Sequence, residues 1–352
     1  MPTTKNGTAI YAAHPEKNID PAVHIKYVER EIGLDTVPLD GGVLLKTLYL
    51  SSDPYIRYRL RDPAQDSFVP PVYIGDPIDN SGIARVVRSD DPKFAPGDYV
   101  AGYLDFAEYS VYPGKSKSVL KSPLKKVDKV PGIPLSALTG TLGMPGMTGY
   151  QGIKGHALDA LKTAKVMFVS GAAGPVGTFV TEYVKVIAPH VKIIASAGSA
   201  KKVEIMKSAG VDVAFNYKEQ DTFAVLKEHG PIDIYWDNVA GPTLDAALLN
   251  FNYDGLIIAC GAISQASHDD SSVHFDEIFK RRIEVEGFTA FQGKSAHVIS
   301  HFQEEVVPLV QQGKIKIREH RYNGIREAGK ALADVHVGAN TGKAVIIVDN
   351  VD

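Results

Sequence analysis

Apolar residues are distributed differently on either side of residue 165. Between Gly41 and Val130 the apolar runs are short and turn residues frequent. Gly42-Val43-Leu44-Leu45-Lys46-Thr47-Leu48, Gly82-Ile83-Ala84-Arg85-Val86-Val87 and Gly97-Asp98-Tyr99-Val100-Ala101-Gly102 are typical, with prolines from Pro70 to Pro134 between them. Short strands at that spacing predict a β-rich, barrel-like unit.

From Lys165 the rhythm becomes strand, helix, strand. Val166-Met167-Phe168-Val169 is a continuous apolar run, as in a strand buried on both faces. Val176, Phe179, Val180, Tyr183, Val184 and Ile187 fall on one helical face. Lys192–Ala195, Val213–Phe215, Ile232–Trp236, Leu256–Ala259 and Ile283–Phe288 predict five more strands, and Lys201–Ala209 a short helix. Such alternation predicts βαβ units and a doubly wound parallel sheet. One long helix is expected over Ala296–Gln312. The apolar run Lys343–Val348 predicts a last strand that rejoins the β-rich unit, because the six-stranded sheet is already complete. The fold expected is therefore α/β with a separate β-rich unit. Its expected bounds are 1–135 for the β-rich unit, 136–314 for the parallel-sheet unit and 315–352 for the return.

At about 150 residues per domain, 352 residues agree with two domains. Lys and Arg total 38 against 41 Asp and Glu, a net charge of −3, which gives no electrostatic footprint for nucleic acid or an anionic membrane. The single cysteine, Cys260, excludes an intramolecular disulfide and a Cys-rich zinc lobe. Met1–Gly7 is polar, and no apolar stretch approaches the roughly 20 residues of a membrane helix. A reducing, cytoplasmic setting is expected.

Directly after the first parallel strand comes Ser170-Gly171-Ala172-Ala173-Gly174-Pro175-Val176-Gly177. This is a dinucleotide fingerprint with Ala172 in the first glycine position. Gly174 lets the backbone approach a pyrophosphate, Gly177 lets helix and strand pack closely, and Pro175 suits the first helical turn. An NAD site usually carries a carboxylate at the end of the second strand. Here that end reads Ala195-Ser196-Ala197-Gly198-Ser199-Ala200-Lys201-Lys202, with two lysines and no acid. A 2′-phosphate is favoured there, so NADP(H) is the expected cofactor. No HExxH, Cys-x-x-Cys or Gly-x-Ser-x-Gly is present, so neither a bound metal nor a serine hydrolase is expected.

Six stretches carry a resemblance. They are Leu50–Arg57, Leu142–Tyr150, the 171–177 loop, Phe215-Asn216-Tyr217-Lys218, Asp237-Asn238-Val239 and Cys260-Gly261-Ala262-Ile263-Ser264. In this order they resemble the zinc-independent medium-chain dehydrogenase/reductases, in particular the NADPH-dependent double-bond reductases: 2-alkenal reductases and prostaglandin reductase. The resemblance implies a GroES-like domain, a Rossmann domain, a cleft between them and a homodimer.

It also implies roles. Ala173, Gly174, Pro175 and Val176 would lie along the pyrophosphate, with Gly177 completing the cofactor-binding loop. Lys202 would pair with the 2′-phosphate and Tyr217 would hydrogen-bond it, with Ser199 a further cofactor-binding residue. Asn238 would contact the ribose or phosphates. Cys260, Gly261, Ala262, Ile263 and Ser264 would run along the nicotinamide half. Phe288, Thr289 and Ala290 would offer backbone groups to the carboxamide, and Asn340 would reach the cofactor from the other domain. Tyr55, Tyr73, Met147, Ala266 and Phe291 would wall the substrate pocket. One departure matters: where plant and mammalian relatives carry Ile-Ser-x-Tyr-Asn, this chain has Ile263-Ser264-Gln265-Ala266-Ser267-His268. The tyrosine that would bond the substrate carbonyl is replaced by Ala266.

The expected reaction is hydride delivery to the β carbon of an α,β-unsaturated ketone or aldehyde. Tyr55, His268 or the cofactor ribose hydroxyl would donate a hydrogen bond to the developing enolate. A quinone or carbonyl reductase on the same scaffold, or an NADPH-binding protein without turnover, are the alternatives.

Overall fold

A computed structural model describes residues 2–113, 123–264 and 274–352. The chain forms two units. One comprises Met1–Gly140 with Glu319–Asp352, the other Thr141–Arg318.

The Thr141–Arg318 unit is built on a six-stranded sheet. Its strands in chain order are Val166–Val169, Lys192–Ala197, Val213–Asn216, Ile232–Asp237, Phe251–Ala259 and Glu284–Gly287. All pairings are parallel, and the spatial order is 3-2-1-4-5-6. That is the doubly wound arrangement whose ligands sit beyond the carboxyl ends of the strands. Phe168, Ile194, Phe215, Tyr235 and Ile257 are all buried in one cluster. The Phe168 and Tyr235 rings stack across neighbouring strands at 4.9 Å.

The segment 296–312 differs from the single helix expected. Ala296–His301 is a 3-10 turn, and the α-helix runs only from Phe302 to Gln311. Ser295, the residue placed to cap a longer helix, has its hydroxyl engaged by Gln151 and His156. It makes no cap, so the first turn closes with tighter bonds.

In the other unit, Thr4–Tyr11 and Ile25–Ile32 form an antiparallel ribbon. The core strand of the larger mixed sheet is Val43–Ser51, buried at eight of its nine positions. Asp79–Ser89 pairs along one edge. Tyr109–Tyr112 pairs with the first half of the other edge and Lys343–Ile347 with the second. Lys343–Ile347 thus joins the β-rich unit. It also pairs in parallel with Glu319–Asn323, and the helix Ala328–Val337 connects those two strands. Leu45, Leu50, Ile56, Leu104, Phe106 and Ile346 form its core.

Candidate active site

The glycine loop leaves the strand Val166–Val169 and enters the helix Pro175–Ile187. Its left-handed turn falls on Gly171, at φ +58°, one residue before Ala172, which is buried and donates its N–H to the Ser196 carbonyl. A Cβ on Gly177 would lie 2.5 Å from the Ala172 Cα, so close packing of helix on loop demands glycine there. Gly174 is different: a Cβ there would meet only the Gly171 carbonyl oxygen, at 3.4 Å. Gly174, Pro175 and Val176 reach the surface, while Ala173 is buried. The helix has thirteen residues and no side-chain cap, so its first N–H groups are available to an anion.

Beside this loop the second and third strands end together, with Asn216 paired to Ala197. Ser199 caps the helix Ala200–Ser208 by accepting from the Lys202 N–H. The Tyr217 ring lies against Gly198, where a Cβ would be 3.0 Å from the phenol oxygen, and its N–H donates to the Ala197 carbonyl. Partial burial lowers the Lys202 pKa, and the nearby Lys218 ammonium lowers it further. Two cations near one another, with no carboxylate between Ala195 and Lys202, have the charge that could hold a phosphate dianion. Lys218 carries no sign of this role in the sequence. Adjacency to Lys202 arises from pairing of two strands, which spacing in the chain does not display.

The fourth and fifth strands end in linked loops. Buried Asp237 accepts at Oδ1 from the Tyr235 hydroxyl at 2.7 Å and from the Val239 and Ala240 N–H groups at 2.8 Å. The Cys260 and Gly261 N–H groups donate to the Asp237 carbonyl, and the Ile263 N–H to that of Asn238. Ser264 hydrogen-bonds the Val239 carbonyl through both N–H and Oγ, while Ala262 is partly exposed. Burial of its sulfur pushes the thiol of partly buried Cys260 up to about 12. The Asn238 amide is largely spent inside the unit: Nδ2 donates to the Ser170 carbonyl and Oδ1 accepts from the Trp236 indole.

After the sixth strand, Phe288 packs edge-on against Trp236, with ring centroids 6.0 Å apart. Thr289 and Ala290 lead into Phe291, which has φ +65° and is 45% exposed. Met147 lies partly exposed in the helix Met144–Gly152 of the same unit.

In the other unit, Tyr55 donates its hydroxyl proton to Asn80 Oδ1 at 2.5 Å. Asn80 is fully buried; its Nδ2 donates to the Ser51 carbonyl and to Asp53 Oδ2, both at 2.8 Å. Those two acceptors fix the amide so that its oxygen faces Tyr55. Asp53 Oδ1 accepts from Lys343 Nζ at 2.7 Å in a pair almost completely buried. Burial drives the Tyr55 pKa well above that of an ordinary phenol, so this phenol stays neutral. Its proton is committed to Asn80, and serving as an enolate donor requires breaking that bond. Asn80, Asp53 and Lys343 escaped the sequence reading. Tyr73 of this unit is 38% exposed, and Asn340 Nδ2 donates to the Gly342 carbonyl in the turn before the last strand.

Ala266 and His268 lie outside the described residues. Among the described residues no group of three or more metal-ligating side chains occurs, and no helix is long and apolar enough to cross a membrane.

Comparison with known proteins agrees with this geometry. Residues 10–120 match a family model described as the N-terminal domain of oxidoreductase, and residues 175–312 one described as zinc-binding dehydrogenase. A 2-alkenal reductase (NADP(+)-dependent) of Nicotiana tabacum is 40% identical over 314 residues, 88% of each chain. The (+)-pulegone reductase of Mentha piperita is 35% identical over 326 residues, again 88% of each. The crystal structure of CurA in complex with NADPH from Vibrio vulnificus superposes with a TM-score of 0.83 at 28% identity, covering 98% of this chain and 99% of that one.

Proposed function

This chain belongs to the double-bond reductase group of the medium-chain dehydrogenase/reductases, and on that premise we propose that it reduces the carbon–carbon double bond of α,β-unsaturated ketones and aldehydes with NADPH. The observation that carries the cofactor assignment is the Lys202–Lys218 pair beside Tyr217 and the acid-free Ser199 turn. Together with the open Gly174 and the uncapped helix start, it fits a pyrophosphate and a 2′-phosphate.

When bound, NADPH supplies the hydride that goes to the β carbon. The chain's own residues bind and orient. The helix N–H groups hold the pyrophosphate, and Lys202, Lys218 and Tyr217 hold the 2′-phosphate. The 260–264 and 288–290 segments border the nicotinamide half. Each unit offers candidate substrate contacts of its own, Met147 and Phe291 in one and Tyr55 and Tyr73 in the other. The hydrogen bond to the developing enolate comes from Tyr55, once its hydroxyl turns from Asn80, from His268, or from the ribose hydroxyl or water.

Catalysis is zinc-free in this reading: turnover persists in the presence of a chelator, and zinc-restored activity after chelation would overturn that. A homodimer is favoured by the open edge strand Glu284–Gly287, with Val285 48% exposed, and by Phe275 and Phe279, each more than 70% exposed. A cytoplasmic setting belongs to the same reading, since one cysteine, Cys260, cannot form an intramolecular disulfide.

The deciding experiment is NADPH oxidation against a panel of enones, enals and quinones, with the reduced bond identified by mass and NMR. Saturation of the double bond with the carbonyl intact is expected. Preferential quinone reduction would favour the alternative reductase, and binding without turnover a non-catalytic role.

A further inference from the structure

We propose that Gln151, supported by His156 and Ser295, is a positioning residue that holds the 288–291 segment in a strained, cofactor-ready shape. The proposal rests on the reading that this segment borders the nicotinamide.

Phe291 has φ +65°, a left-handed conformation that a bulky side chain adopts only under constraint. The constraint is visible. Gln151 is fully buried, accepts at Oε1 from the Phe291 N–H at 2.9 Å, and donates through Nε2 to the Gln292 carbonyl at 3.1 Å. The same Nε2 donates to Ser295 Oγ at 3.0 Å. One amide therefore ties down both sides of the turn.

The far end is fixed by a second chain of bonds. Glu286 Oε2 lies 3.1 Å from His156 Nδ1, and Ser295 Oγ lies 2.9 Å from His156 Nε2. A carboxylate only accepts, so in the neutral ring Nδ1 carries the proton and Nε2 receives the Ser295 hydroxyl. The His156 ring also packs on Phe288 at 5.3 Å. This is the connectivity of a nucleophile relay. Ser295 is only 4% exposed, however, and its Oγ already accepts from Gln151, so it holds the loop and does not attack a substrate.

The local sequence is built for this approach. The helix Met144–Gly152 passes into a π-type turn at Ile153–Ala157, which brings Gln151 and His156 to the same loop. A Cβ on Gly155 would sit 2.5 Å from the Ser295 Cβ, and one on Gly152 would sit 2.3 Å from the Trp236 ring. Strain at Phe291 is thus maintained by a buried polar frame, and it sits where hydride geometry is set.

The test uses Gln151→Met, which keeps the volume and loses the hydrogen bonds, and calorimetry with two probes. NADPH spans both halves of the site, whereas 2′,5′-ADP reaches only the adenosine half. We expect NADPH affinity to fall about tenfold while 2′,5′-ADP stays within about twofold. kcat toward an enone should drop, and the isotope effect with deuterated NADPH should rise as hydride transfer becomes slower. Equal weakening of both probes, or of neither, overturns the proposal. If Gln151→Met fails to fold, Ser295→Ala decides by the same selective loss. A wild-type chain that binds neither probe sinks the cofactor reading itself, and the proposal with it; binding of both by wild type without selective loss in the variants sinks only the proposal.

Discussion

Asp237 and Asp53 are both buried carboxylates at or just after the end of a core strand, but their partners differ. Asp237, in the parallel-sheet unit, is held by neutral donors: the Tyr235 and Ser170 hydroxyls and two backbone N–H groups. Burial raises its pKa, and those donors oppose the rise. Asp53, in the β-rich unit, is held by the Lys343 ammonium, the Asn80 amide and the Ser51 hydroxyl. The first arrangement needs an acceptor and only incidentally a charge. The second needs charge balance, because Lys343 is itself enclosed and burial depresses its pKa. Loop geometry is secured in one unit by backbone dipoles and in the other by an ion pair.

The largest expected effect separates these cases. Asp53→Asn leaves the Lys343 ammonium uncompensated and should cost about 3–5 kcal/mol. Asp237→Asn keeps an oxygen for the same donors and should cost about 1–3 kcal/mol. Urea unfolding of the two variants checks this, and equal losses would erase the distinction.

Acid provides the next. His336 of the β-rich unit has its pKa lowered to about 4, chiefly by burial and secondarily by Arg57. The folded chain keeps this ring neutral where the unfolded chain is protonated. Stability therefore falls as pH drops from about 6.5 to about 4, by roughly 3 kcal/mol, and levels off below. His336→Gln should flatten that part of the profile in thermal melts taken across it.

Cofactor choice comes third and concerns the parallel-sheet unit alone. Lys202→Ala should weaken NADPH by about 10- to 100-fold and leave NADH nearly unchanged. Lys218→Ala should act in the same direction with a smaller effect, since Lys218 is exposed. A loss shared equally by both nucleotides would remove the 2′-phosphate assignment. The smallest signal is chemical: with its pKa pushed up to about 12, native Cys260 should resist iodoacetamide at pH 8 and react only after unfolding. Fast alkylation of the native chain would show that the Asp237 loop opens.

Local periodicity made the parallel unit legible. Six strand-like runs, an amphipathic helix and a glycine loop each announce themselves within a dozen residues, and the acid-free turn at Ser196–Ala200 points to NADP(H). What escaped is long-range. Asn80, Asp53 and Lys343 meet across 27 and 290 residues, and Gln151 reaches Phe291 across 140. Each looks ordinary in its own neighbourhood. The 296–312 helix was overextended for the same reason, because the Ser295 hydroxyl is engaged by partners more than a hundred residues away.

The return of Lys343–Ile347 to Val43–Ser51 has a consequence in time. During synthesis, Asp53 emerges 290 residues before the lysine that neutralises it. At about 5–20 residues per second, that interval is roughly 15–60 s. Throughout it the β-rich half has an open sheet edge beside an unbalanced carboxylate, while the whole parallel-sheet half is made and can close on its own contacts. The order of completion is thus inverted relative to the order of translation: the middle of the chain matures first, and the beginning waits for a strand encoded far downstream.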